Sequence, residues 1–174
     1  TLKSVEFQPT DSEIQAGGVY TIRLFDKHNV NVSLLDVGFG ISQVLPVITQ
    51  SLVSQGETII IEQPELHLHP KLQTELGDLF IESALDRGNT LIAETHSEHL
   101  LLRIMKRMRQ TYEETLPHGK PKVTPDDVAV LYVDDNDEST IVRHMELNEL
   151  GELCDPWPDG FFEEDFNEVF DYES

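Results

Sequence analysis

Residues 58–70 read TIIIEQPELHLHP, and the change of character half-way along this stretch decides the fold. Thr58 to Ile61 is short, β-branched and continuously apolar, the composition of a strand covered on both faces in a parallel sheet. Glu62, Gln63, Glu65, His67 and His69 follow at once, so the strand is expected to end in a polar site. Pro70 suits the first position of a helix, where its missing N–H would have no partner anyway. That helix is expected to turn Leu72, Leu76, Leu79 and Ser83 to one face and to stop near Gly88.

The same pattern repeats downstream. TLIAE, residues 90–94, reads as a second buried strand, followed by Thr95, His96 and Ser97. Ser97 is suited to cap a helix through Leu100, Ile104 and Met108. Arg103, Lys106, Arg107 and Arg109 near its end read as compensation of the helix dipole. Strand, helix, strand, helix is a βαβα unit with a parallel sheet, hence an α/β fold. In such a sheet functional groups gather beyond the carboxyl ends of the strands, where both polar clusters lie. A carboxylate there can hold a divalent cation, an amide can orient a water and a histidine can bond a phosphate oxygen. Zinc at His67 and His69 is disfavoured, because HLH has neither helical i, i+4 spacing nor cysteine companions.

Upstream, VYTIRLFDKHNVNVSLL, residues 19–35, reads as a hairpin turning at Asp26 to Asn29. A glycine-rich turn, DVGFG (36–40), leads into a helix from Ile41 with Val44, Leu45, Ile48 and Leu52 on its apolar face. Pro46 is tolerable there if it falls near the first turn. Downstream, residues 111–125 hold three prolines and two lysines and read as a linker. VAVLYV (128–133) and TIVRHMEL (140–147) read as a hairpin around the acidic turn DDNDES. The end, WPDGFFEEDFNEVF, predicts a turn and then an amphipathic helix with Phe162, Phe166, Val169 and Phe170 inward. The expected organisation is therefore an α/β lobe over 1–110, a linker over 111–125 and a small acidic α+β appendage over 126–174.

Composition narrows the setting. The 174 residues are 39% hydrophobic, enough for a real core, and no apolar run approaches the roughly 18 residues of a membrane span. The lone Cys154 fits a reducing, cytoplasmic compartment and is expected to be a small packed residue. The net charge of −21 is uneven, with −16 falling on residues 126–174, whose one base is Arg143. Such a surface repels phosphate backbones and reads as a solvated, solubilising face.

Three stretches together carry a resemblance. LLDVGFGISQVLPVI (34–48), TIIIEQPELHLHP (58–70) and TLIAETHSEHLLLRI (90–104), in this order and spacing, resemble the C-terminal half of an ABC-type ATPase of the SMC-like group. More narrowly, the chain is similar to AAA-type ATPases whose Walker B segment reads EQPELHLHP and which end in a small domain with a WPxGFF motif, here WPDGFF at 157–162. The resemblance implies the C-terminal part of a P-loop NTPase that binds ATP and Mg²⁺ and forms a homodimer with ATP sandwiched between protomers. It implies roles for nine residues. Gly38, Gly40 and Ser42 would serve as the signature loop contacting the partner's nucleotide, and Glu62 as the metal carboxylate. Gln63 would stand at the water-orienting position and His96 would be the switch histidine. Leu68, His69 and Pro70 would form the D-loop that crosses the dimer interface. Gln63 stands where most relatives have a glutamate. An amide can orient water but not deprotonate it, so slow hydrolysis is expected, with Glu65 or Glu94 as replacement carboxylates.

The phosphate-cradling GxxxxGK[ST] motif is absent from the sequence. The one Gly-Lys pair, Gly119 and Lys120, precedes a proline. The expectation is a Walker A lobe encoded upstream in a longer protein, little activity in this portion by itself, and an output toward an effector protein or nucleic acid, in nucleic-acid maintenance or phage defence. Two other readings compete: a nucleotide switch or interaction module that does not hydrolyse ATP, and a metal-dependent nuclease built from Glu62, Glu65, His67, His69, Glu94 and His96.

Overall fold

A computed structural model of the chain describes residues 2–9, 20–26, 28–32, 39–135 and 139–158. Gly38, most of the WPDGFF motif and the expected C-terminal helix lie outside the described residues. The first strands form an antiparallel sheet in the order β1 (Leu2–Pro9), β2 (Tyr20–Asp26), β3 (Asn31–Val32). The hairpin expected over 19–35 is β2 and β3, paired Leu24 to Val32 and Phe25 to Asn31. Asn29 turns it at φ 64, a left-handed conformation that asparagine tolerates better than most residues.

The βαβα unit forms as read. β4 (Thr58–Glu62), α2 (Pro70–Leu85), β5 (Thr90–Glu94) and α3 (Glu98–Tyr112) follow one another, and β4 and β5 pair in parallel with Thr58 opposite Thr90 and Glu62 opposite Glu94. The helix caps are those the sequence supplies. His69 accepts at Nδ1 from the Lys71 N–H ahead of Pro70, and Ser97 accepts from the Leu100 N–H. α1 (Phe39–Val53), α2 and α3 cover one face of this strand pair. Val44, Ile59, Ile61, Leu68, Leu76, Phe80 and Leu100 form the buried core, with Leu91 and Ala93 of β5 packed against it.

Four expectations are corrected. Among the described residues the strands are not covered on both faces: Ile60 is 72% and Ile92 55% exposed, because α1, α2 and α3 all pack on the other side. Pro46 sits in the middle of α1 rather than near its first turn, since the helix begins at Phe39. It removes one backbone hydrogen bond, and the packing of Val44, Val47 and Ile48 against the sheet holds the helix through it. Leu52 and Leu72 are exposed rather than inward. Cys154 is exposed rather than packed.

The arginines of α3 do not simply face the helix dipole. Asp78, buried on α2, accepts two hydrogen bonds from Arg107, at 2.7 Å from Nε and 2.8 Å from Nη2, and one at 2.9 Å from Arg103 Nη1. Burial pushes the Asp78 carboxyl up, but the Arg107 hydrogen bonds and the charges of Arg107, Arg103 and Lys120 outweigh it and hold the group below the usual carboxylate range. The same bond to Asp78 raises Arg107 further above its ordinary value. Asn89, also buried, accepts from the Glu57 N–H and donates to the Ser54 carbonyl and Ser83 Oγ, so one amide ties the end of α1 and the start of β4 to α2.

The acidic region contributes the hairpin β6 (Val130–Asp135) and β7 (Thr140–Met145), antiparallel with Val133 opposite Val142. It is tied to α3 at Arg109, which donates to the Leu150 carbonyl and to Glu152. No helix among the described residues is long and apolar enough to cross a membrane.

Candidate functional site

The parallel register of β4 and β5 builds the site. Because both strands stop at the same level, Glu62 and Glu94 stand side by side on the face that carries Ile60 and Ile92. Like charges in this position repel, so the sequence places here an arrangement that stability alone disfavours. The ladder runs one residue further, with the Gln63 N–H donating to the Glu94 carbonyl at 2.8 Å. This bond fixes Gln63, at φ 43, with its side-chain amide 3.3 Å from Glu94 Oε1 as donor. His96 Nε2 lies 3.9 Å from the same oxygen. Glu94 is thus the hub on which Gln63 and His96 converge.

A cleft of about 390 Å³ opens beside this hub, lined by Gln43 and Val47 of α1 and by Glu62, Gln63, Leu66 and Glu94. Its size is at the low end for ligand sites, about 300–1,000 Å³. Among the described lining residues there are two carboxylates and no base. An anion entering it alone would be repelled, so it suits a ligand that brings a cation or meets positive charge from another segment.

The remaining predicted residues fall in different places. Gly40 is buried at the start of α1, and a Cβ built on it would lie 2.4 Å from the His67 carbonyl oxygen. The close approach that this glycine permits is therefore to the backbone of the 63–69 turn. Ser42 is half-buried in the first turn of α1. Leu68 is 8% exposed and belongs to the core, whereas His69 and Pro70 are exposed at the start of α2. The outward residues of the turn are Leu66 and His67. Glu65 is buried, is not among the residues that line the cleft, and accepts at Oε1 from the His96 N–H at 2.8 Å. Of the two carboxylates offered as replacements for Gln63, only Glu94 borders the cleft.

Asp78, Gln73 and Gln43 escaped the sequence reading. Asp78 had a visible signal, a charge between Leu76 and Phe80 on an apolar helix face facing paired arginines one turn apart. Gln73 and Gln43 had none, because an exposed-looking glutamine at the start of a helix is ordinary. Among the described residues no three of His, Cys, Asp and Glu are grouped so as to hold a metal ion. The six residues of the nuclease reading therefore do not form one centre.

The family model described as AAA ATPase domain matches residues 3–101, more than half of the 174 residues. The chain belongs to the AAA ATPase domain family. The general activity of this ATPase domain is thereby ATP-linked chemistry, and both strand ends of the candidate site lie inside the matched region. A second family model, described as a protein of unknown function (DUF3696), matches residues 123–171, which include the β6–β7 hairpin. No curated protein matches the chain.

Proposed function

We propose that this chain is the C-terminal lobe of an ABC/SMC-like P-loop ATPase that closes as a homodimer around ATP, with the phosphate-cradling loop supplied by a lobe upstream in the same polypeptide. One observation carries the reading: Glu62 and Glu94 stand in register at the strand ends, and the Gln63 amide and His96 imidazole both converge on Glu94. The uncharged-to-acidic lining of the cleft supports it, because such a site needs positive charge from elsewhere before it can hold phosphates.

The residues fit Mg²⁺, which binds through one or two carboxylates and completes its shell with water and substrate phosphates. Glu62 would hold that ion, which when bound neutralises charge on the phosphate oxygens. Gln63 offers its amide oxygen to the attacking water, its own nitrogen being anchored on Glu94. Glu94 is the nearest carboxylate to take the water's proton as the bond to the γ-phosphorus forms and ADP leaves. His96 donates from its ring to a γ-phosphate oxygen. Ser42, in the first turn of α1, would face the partner protomer's nucleotide, where a helix N-terminus favours an anion, while Gly40 lets that helix start pack on the 63–69 turn. Leu66 and His67, with His69 and Pro70, face the dimer interface. The output goes to an effector or nucleic acid in a maintenance or phage-defence setting.

The test is phosphate release by the full ATPase. Glu62→Gln and His96→Ala are each expected to lower turnover about a hundredfold, and unchanged turnover in both variants would sink the assignment. A second reading is favoured by Gln63 itself: an amide in place of a base suits a switch that dimerises on ATP without hydrolysing it. Sedimentation showing an ATP-dependent dimer, with no phosphate released above background, would select that reading.

A further inference from the structure

The turn joining β4 to α2 contains two non-glycine residues in the left-handed region, Gln63 at φ 43 and His67 at φ 62. Such conformations persist where the surroundings over-determine them. Inside the turn the Leu66 N–H donates to the Gln63 carbonyl and the Leu68 N–H to the Glu65 carbonyl. From outside, α1 presses its Gly40 against the His67 carbonyl, where there is no room for a side chain.

Two side chains, one from this turn and one from the start of α2, then reach the loop between β5 and α3. Glu65 Oε1 accepts the His96 N–H at 2.8 Å. Gln73, one turn into α2, donates from Nε2 to the Leu68 carbonyl at 3.0 Å and accepts at Oε1 from Ser97 Oγ at 2.7 Å. Ser97 Oγ also caps α3 through the Leu100 N–H. His96 is therefore held by its own amide and through its neighbour Ser97, from two anchors, Glu65 and Gln73, that flank the exposed Leu66 and His67. Glu65 is only 8% exposed, and its second oxygen, Oε2, has no hydrogen-bond partner among the described residues. A buried carboxyl that leaves one oxygen unsatisfied is costly, so its presence calls for a role beyond filling space.

We infer that Glu65 and Gln73 are positioning residues that lock the 63–69 turn to the 95–97 loop, so that the placement of the turn at a protomer interface sets the placement of the His96 ring. The inference rests on the role proposed above for His96. In the full ATPase, Glu65→Ala is expected to lower kcat about ten- to a hundredfold, the scale of a small misplacement of a reacting group, with KM for ATP changed by less than about twofold. Combined with His96→Ala it should add little, because both changes remove the same function. Glu65→Gln keeps an acceptor oxygen for the His96 N–H and should recover most of the rate, and Gln73→Ala should fall between.

Amide hydrogen exchange supplies a readout independent of ATP chemistry. Exchange at His96 should rise on the order of tenfold in Glu65→Ala and stay near wild type in Glu65→Gln. Unchanged exchange at His96, or losses from Glu65→Ala and His96→Ala that multiply, would overturn the clamp. The two readings fail separately. A silent His96→Ala removes the proposed function, whereas a slow His96→Ala beside a wild-type Glu65→Ala removes the clamp alone.

Discussion

At the scale of single residues, Gln63 and Gly40 make the sharpest demands. Gln63 stands at the strand end beside Glu94, at φ 43, and carries an amide where deprotonation would need a carboxylate. General bases contribute about 10²–10⁴-fold, so Gln63→Glu should raise phosphate release by the full ATPase at least about tenfold. The new carboxylate would stand 3.3 Å from Glu94 Oε1 in place of a donor, and the gain should therefore require Mg²⁺; a variant no faster than wild type would mean that proton removal by Glu94 does not limit turnover. Gly40 faces a different constraint. A methyl group there would meet the His67 carbonyl oxygen at 2.4 Å, and backbone must move to admit it. Gly40→Ala should destabilise the fold by about 1–3 kcal/mol, read as a lower denaturant midpoint. Its role as a glycine was legible in DVGFG, but the neighbour that requires it was not, since nothing in the sequence places His67 against α1.

At the scale of elements, the α2–α3 contact turns on Asp78. Removing it leaves the buried Arg107 and the half-buried Arg103 without this acceptor, so Asp78→Ala should cost about 3–5 kcal/mol. The pH dependence has a definite sign. The folded carboxyl titrates below its ordinary value, so the unfolded chain binds the proton first as pH falls, and the pair's contribution is complete above about pH 4 and is lost only as pH drops through the depressed folded value. Thermal melts of wild type and Asp78→Asn should therefore differ by a constant amount from neutral pH down to about 4 and converge below it. The strands and helices of this unit were legible because a β-branched run ending in carboxylates, then a proline or a serine cap, leaves little choice of element. The partners of the α3 arginines were not. A basic last turn reads the same whether it faces the dipole, solvent or an aspartate on a helix 25 residues away, and only packing distinguishes these. Glu65 posed a similar ambiguity, since a carboxylate in a polar turn looks like a catalytic group until its burial and its bond to the His96 N–H are known.

At the scale of the molecule, the described residues cover the βαβα unit on one side only. Ile60 and Ile92 lie exposed beside each other on β4 and β5, and these two strands form a sheet of their own among the described residues. An uncovered two-stranded sheet is marginal, and an exposed apolar strand face is a template for association. The sequence concealed this because TIII and TLIA have the composition of strands covered twice, whichever chain segment does the covering. Coverage by the proposed upstream lobe makes a two-sided prediction. In this chain expressed alone, replacing both isoleucines with threonine should increase the monomeric fraction in sedimentation and leave the melting temperature little changed, because no buried contact is lost. In the full ATPase the same pair should lower stability by about 3–6 kcal/mol, two side chains at about 1.5–3 kcal/mol each. Equal, small effects in both proteins would mean that this face stays open to solvent, and the carboxylates at its end would then work without the second lobe.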